Sequence, residues 1–353
     1  MEILMELRDL GPLFLVGFHG ASFTHEVRDL IDDLNPSGVI LFSRNIEDPV
    51  QTARLNRDIQ RHATRAAGPG LFIAVDQEGG RVRRLREPFS IFPPALELAA
   101  AESPGDAVAQ CAEVTARELR LAGFNLDFAP VLDVLDSEMA VSSSVIGDRS
   151  FGSDPAVVSR LGRIVIETMR AQGVIPCGKH FPGHGGTLVD SHVELPVDGR
   201  SLEDLLRRDL IPFQDLVELN AEMIMTAHVL YPDLDPVHPA TLSSAVLGGL
   251  LRGRIGYQGI VITDDLEMGA VARKHSVEES SVRAFAAGAD ILLVCNAPDK
   301  AISARAALYD AVRQGQIPSP LLERSLQRID DLKRRFASSF APCDETAVRA
   351  YFA

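Results

Sequence analysis

The chain has no basic excess, no clustered cysteines and no long apolar run, and each absence removes a class of function. Its 353 residues carry a net charge of −14, with a pI near 5.1. Phosphates would be repelled by that field, so no nucleic-acid partner is expected. The four cysteines (Cys111, Cys177, Cys295, Cys343) lie far apart without a Cys-x-x-Cys. Scattered in this way they read as small buried hydrophobes in a reduced compartment. The opening stretch MEILMELRDLGPLFLVGFHG carries acidic residues where a secretory signal needs positive charge. LFLVGF within it is too short to span a bilayer. A cytoplasmic protein with no membrane partner is the expectation. No linker, repeat array or low-complexity tract divides the chain. Although the length alone suggests two domains, residues 1–353 therefore read as one.

What is present is alternation. Hydrophobic residues make up 46% and charged residues 24%, the balance of a globular protein with a large core. Eight short, nearly continuous apolar runs read as strands buried on both faces: 13–18, 38–42, 71–76, 126–134, 177–181, 222–229, 259–266 and 289–296. Amphipathic stretches lie between them, among them 106–122, 155–172 and the one through Val282, Phe285 and Ala286. Each of these meets a glycine and returns at once to a strand. Eight such units predict a closed (β/α)₈ TIM barrel. The rival, an open doubly wound sheet, lacks its Gly-x-Gly-x-x-Gly after the first strand. A last helix is expected over about 319–336, with Ser319 as its cap and Pro320 at its first position, followed by a short tail.

The polar residues that interrupt these apolar runs cluster at their C-terminal ends. Asp76, Gln77 and Glu78 close the third run, Asp133 the fourth, Lys179 and His180 the fifth, His228 the sixth, and Asp264 with Asp265 the seventh. In a parallel barrel the C-terminal strand ends form one rim, which is where such folds carry their chemistry. Taken singly, His228 reads equally as a satisfied core histidine, and Asp133 reads better as an acceptor for loop amides than as a catalyst.

The segment KHFPGHGGTLVDSH, residues 179–192, admits three chemistries. His180, His184 and His192 could ligate zinc, although the proline and glycines between them exclude the helical His spacing of many zinc sites. Lys179 could form a Schiff base, but a carboxylate-rich rim keeps an amine charged, and a charged lysine serves better as a hydrogen-bond donor. Asp190 and His192 could form a proton relay, meeting directly if the segment is extended, since residues i and i+2 then face the same way. A carboxylate on one imidazole nitrogen leaves the other free to give and take a proton near neutrality. Gly183, Gly185 and Gly186 would make this loop mobile. In ITDDLEM, alternation lets only one of Asp264 and Asp265 face a substrate, as a retaining glycosidase requires of its nucleophile.

AVDQEGGRVRRLR, GDRSF, KHFPGHGGTLVDSH, TAHV and ITDDLEM, in this order and spacing, resemble the β-N-acetylglucosaminidases of glycoside hydrolase family 3. The likeness runs from about residue 10 to about residue 336. More narrowly, it resembles the single-domain bacterial enzymes that recycle cell-wall muropeptides. The resemblance implies a retaining, metal-free hydrolysis without cofactor, acting on a carbohydrate substrate. It implies Asp264 as nucleophile, His192 as acid/base and Asp190 as its partner. Asp76, Arg84, Arg149, Lys179 and His180 would then hold the sugar. Gly186 stands where many relatives have aspartate, which is expected to affect loop mobility rather than mechanism. A phosphorylase or a broader β-glycosidase on the same scaffold is the alternative; a zinc hydrolase and a non-catalytic sugar-binding barrel stand further off. A monomer is the default expectation.

Overall fold

The computed structural model describes residues 6–65, 69–136 and 145–353. Eight parallel strands form one sheet: β1 (Phe14–Gly17), β2 (Gly38–Ile40), β3 (Phe72–Val75), β4 (Leu126–Asp127), β5 (Ile175–Phe181), β6 (Met223–Thr226), β7 (Ile260–Ile262) and β8 (Leu292–Val294). The spatial order is β7-β6-β5-β4-β3-β2-β1-β8. Closure comes from a parallel bridge between Ile262 and Ile291 and from Leu266 N–H donating to the Leu293 carbonyl. Every strand residue is buried, as a sheet covered inside by its own core and outside by helices requires. The architecture is the (β/α)₈ barrel expected from the alternation.

The ladders are shorter than the apolar runs. The fourth run was expected to be extended over 126–134, yet only Leu126 and Asp127 pair as a strand. Contact with β5 goes on beyond them less regularly: Pro130 has no N–H to give, but its carbonyl accepts from Lys179 N–H at 3.1 Å, and Leu132 N–H donates to the Lys179 carbonyl at 2.6 Å. Likewise β7 ends at Ile262, so Asp264 and Asp265 leave the sheet and stand at its rim.

The expected C-terminal helix spans Ser319–Arg335 and buries Leu322, Ile329 and Leu332, each worth roughly 1.5–3 kcal/mol of apolar burial. Pro318 rather than Ser319 precedes its first turn. The residues expected as a short tail form a further helix, Glu345–Tyr351. Glu345 pairs with Arg54 and Arg57 of the helix Pro49–Ala63, and Phe352 packs edge-on against Phe89 at 4.8 Å. Among the described residues, no helix is long and apolar enough to cross a membrane.

Candidate active site

One cavity opens at the C-terminal ends of the strands. Asp76, Arg84, Arg149, Lys179, His180, His192 and Asp264 all line it, drawn from five different strand ends and loops. Asp190 stands behind His192 rather than in the wall. The eight residues singled out in the sequence thus converge.

The cavity floor is a network of ion pairs. Lys179 Nζ lies 3.0 Å from Asp76 Oδ1 and 2.6 Å from Glu78 Oε1. Arg84 Nη2 donates to Asp76 Oδ2 at 3.0 Å. Arg149 grips Glu78 with two bonds of 2.8 Å, the fork-on-carboxylate geometry that fixes both partners. Burial alone would push these carboxyls up, but the cations overcome it and hold Asp76 and Glu78 below the ordinary carboxylate range. For Lys179 burial acts downward, and Glu78 with Asp76 outweighs it and lifts the amine above its usual value. A lysine held so firmly protonated donates hydrogen bonds and cannot be a Schiff-base nucleophile. Glu78, which the sequence marks only as part of the polar end of the third run, proves to be the residue that ties Arg149 to Lys179. Its signal was its place two residues after Asp76, on the strand end already suspected.

His180 is fixed from behind. Its Nδ1–H donates to Asp133 Oδ2 at 2.7 Å, which leaves Nε2 for the cavity. Asp133 is buried and also accepts the His180 and His184 backbone N–H groups at 3.2 and 2.6 Å. It serves loop amides, as its bland reading had it. His228 proves to be a buried histidine with satisfied hydrogen bonds. Burial depresses its pKa. Its Nε2–H donates to the Asp265 carbonyl at 2.9 Å, and Nδ1 lies 2.8 Å from the Thr241 hydroxyl, which itself donates to the Ala227 carbonyl.

Asp264 and Asp265 part company at the rim. Asp264 Oδ1 accepts the Asp265 N–H at 2.8 Å, and among the described residues no cation forms an ion pair with Asp264. Burial would raise its pKa, but the His228 and His180 imidazoles, that amide and Lys179 bring it below the ordinary value. It is therefore ionised at neutral pH. Asp265 turns to the backbone, accepting from Glu267 N–H at 3.1 Å and Cys295 N–H at 3.2 Å. Burial, aided by Glu267 and Asp264, pushes it up to about 7. An acid whose folded pKa exceeds its unfolded value of about 3.9 loses stability as pH rises from that value through the folded one. The Asp265→Asn variant keeps the accepting oxygen and removes the charge. Its melting temperature should match the parent near pH 4 and exceed it progressively up to about pH 7, levelling off above that. Equal melting curves at pH 8 would show that the carboxylate is not under this pressure.

The relay pair forms, by a different geometry from the one expected. Asp190 and His192 lie in a turn, not in extended chain. Asp190 Oδ1 accepts both the backbone N–H of His192 at 2.9 Å and its Nδ1–H at 2.8 Å. An aspartate that closes a turn onto the amide two residues on is the local device here, and the ring follows the amide. Nε2 is left outside this pairing, on a residue that lines the cavity. Asp190 is held below its usual pKa: partial burial opposes this, and the two bonds from His192 prevail.

His184 borders the same cavity as His180 and His192, its ring edge-on to that of His180 at 5.9 Å between centroids, but both its nitrogens are taken up within the loop. It is buried, with Nδ1 against Thr187 Oγ1 at 2.5 Å and Nε2 3.2 Å from Ser191 Oγ, and burial lowers its pKa to about 4. Among the described residues no three metal-binding side chains converge. The loop glycines also have another explanation than mobility. A Cβ at Gly185 would lie 2.0 Å from the Val134 carbonyl, and one at Gly186 would lie 2.5 Å from Arg200 Nη2. Backbone leaves Gly185 no room for a side chain, and at Gly186 the Arg200 side chain, paired with Asp198, is what a Cβ would meet.

Comparison with known proteins agrees with this geometry. The glycosyl hydrolase family 3 N-terminal domain matches residues 6–332. A β-hexosaminidase from Thiobacillus denitrificans is 45% identical over 297 residues, 83% of this chain and 80% of that protein. Among solved structures, NagZ from Neisseria gonorrhoeae superposes with a TM-score of 0.78 at 34% identity, covering 96% of this chain and 92% of the other. The family 3 β-N-acetylglucosaminidase from Paenibacillus sp. gives 0.89 at 38% identity over 95% of this chain; the chain spans 63% of that longer protein. A match over nearly the whole chain, with the cavity residues in place, leads to one conclusion: the chain belongs to glycosyl hydrolase family 3 and is a glycoside hydrolase.

Proposed function

We propose that the chain is a retaining exo-β-N-acetylglucosaminidase, releasing terminal β-linked N-acetylglucosamine from muropeptides in the cytoplasm. The sugar class follows the names of its relatives, β-hexosaminidase and β-N-acetylglucosaminidase. The muropeptide source follows the closer resemblance of its motifs. The observation that carries the mechanism is the inequality of the cavity carboxylates. Asp76 and Glu78 are neutralised by lysine and arginine, and Asp265 is turned to amides, so Asp264 alone is ionised and uncommitted.

In the first step Asp264 Oδ2 attacks the anomeric carbon while the bond to the aglycone oxygen breaks. His192 Nε2–H gives its proton to that oxygen, and Asp190 stabilises the charged ring beforehand. In the second step the now neutral His192 takes a proton from water. The water oxygen bonds to the anomeric carbon and Asp264 departs as carboxylate. Lys179, Arg84, Arg149, Asp76 and His180 hold the sugar hydroxyls and acetamido group. The test is hydrolysis of an aryl β-N-acetylglucosaminide beside the matching aryl β-glucoside, with a chelator present. Release from the acetamido sugar alone is expected. Equal release from both would overturn the substrate class, and a sugar 1-phosphate formed only with added phosphate would make the enzyme a phosphorylase.

A further inference from the structure

His192 presents a difficulty for an acid/base group: its side chain is 70% exposed, and its partner Asp190 is 49% exposed. Around them Leu188 and Val193 are 62% and 55% exposed, so packing does not fix this part of the loop. On either side the loop is tied down. His184 is buried with Thr187 on one side. On the other, Val197 bridges Leu230 and Arg200 pairs with Asp198 and Asp209. Within 188–194 Ser191 alone is buried, its hydroxyl 3.2 Å from His184 Nε2, so burial by itself does not orient the exposed residues on either side of it.

The structure shows what does it. Gly269 N–H donates to the His192 carbonyl, and Ala270 N–H donates to the Ser191 carbonyl, both at 3.0 Å. Gly269 and Ala270 begin the short helix that follows the nucleophile, five and six residues after Asp264. The turn between is rigid. Met268 N–H donates to the Asp265 carbonyl at 3.0 Å, and buried His228 donates to the same oxygen. Asp265 itself holds Glu267 N–H and Cys295 N–H. Gly269 has no side chain to spare: a Cβ there would lie 2.4 Å from the Val193 carbonyl oxygen and 2.7 Å from that of His192. Both contacts are with backbone, so no side-chain rotation relieves them.

We propose that Gly269 and Ala270 are positioning residues that latch the His192 segment onto the nucleophile's own loop. One rigid turn then sets the distance between the acid/base and Asp264. This rests on the proposed acid/base role of His192. The latch gives a loop that is mostly in water a defined docked state, without a hydrophobic contact to bury.

The test is a series of aryl β-N-acetylglucosaminides whose phenols range from dinitrophenol to phenol, read as kcat/KM. A strongly acidic phenol leaves without a proton, so only the poor leaving groups report on acid placement. Gly269→Ala is expected to lose about tenfold on the phenyl substrate and to stay within about twofold on the dinitrophenyl one. Ala270→Pro, which removes the second donor at a helix position that tolerates proline, should steepen the same dependence. His192→Ala in parallel separates the two readings. If it shows the steep dependence while both latch variants lose activity evenly or not at all, the latch is wrong and the acid/base assignment stands. If none of the three shows it, both fail.

Discussion

Asp264→Ala is expected to abolish turnover, with kcat falling on the order of 10⁴-fold or more on every N-acetylglucosaminide, whatever its leaving group. The reason is covalent. Without the carboxylate no glycosyl-enzyme forms, and no other cavity carboxylate can replace it, because Asp76 and Glu78 are bound in ion pairs. Stability should change little. The surroundings hold Asp264 below its ordinary pKa, so at neutral pH the carboxylate contributes modestly to the fold, and the variant should melt slightly below the parent. An inactive but well-folded variant is therefore the expected result. Retention of even a tenth of the parent rate would mean that the nucleophile lies elsewhere.

His192→Ala is expected to behave differently, and the difference identifies its role. General acid catalysis contributes about 10²–10⁴-fold, and only where the leaving oxygen needs a proton. The variant should lose at least about a hundredfold in kcat/KM on a phenyl or alkyl N-acetylglucosaminide and little on the dinitrophenyl one. With the activated substrate kcat should still fall, because the second step needs His192 as base to activate water. Added azide, a nucleophile that needs no deprotonation, should restore that step and yield the β-glycosyl azide. Uniform loss across leaving groups, without azide rescue, would make His192 a binding residue instead. Asp190→Asn should show a milder form of the same pattern. Its amide can accept the Nδ1–H but no longer favours the charged ring, whose formation the carboxylate now supports at 2.8 Å.

Much of the fold was legible because a barrel strand buried on both faces must be apolar throughout, and eight such runs stand out in this chain. Their ends were harder to read. Apolar runs such as 259–266 continue past the ladder, since residues at the rim are buried by loops as well as by neighbouring strands. The fourth strand runs on irregularly past Asp127, where Pro130 has no N–H to give, and hydrophobicity does not register that backbone chemistry. The helix Glu345–Tyr351 went unseen because its only buried residue is Val348. Contacts with Arg54 and Arg57, nearly 300 residues away in sequence, hold it instead.

The site divides in the same way. Position at strand ends marked Asp76, Lys179, His180 and Asp264, which line the cavity, but also Asp133 and His228, which lie behind it. What escaped was arrangement. Glu78 joins Arg149 to Lys179 across three separate loops and strands, a triangle with no sequence spacing of its own. The Asp190–His192 pair was inferred through strand alternation and is made by a turn. Gly185 suggests freedom in the sequence, whereas the Val134 carbonyl presses on it and leaves no room for a Cβ. For Glu78 and Gly185 the cause is tertiary; for Asp190 and His192 it is a local turn.

The central claim is that Asp264 becomes covalently glycosylated, and a fluorinated N-acetylglucosamine donor with an activated leaving group tests it most directly. Such a sugar destabilises both transition states, and its good leaving group lets the first step outrun the second, so a covalent intermediate accumulates. Mass spectrometry of the intact protein should show one added sugar, and peptide mapping should place it on Asp264 within ITDDLEM. A label on another residue, or turnover of the reagent to α-configured product with no adduct, would contradict the account.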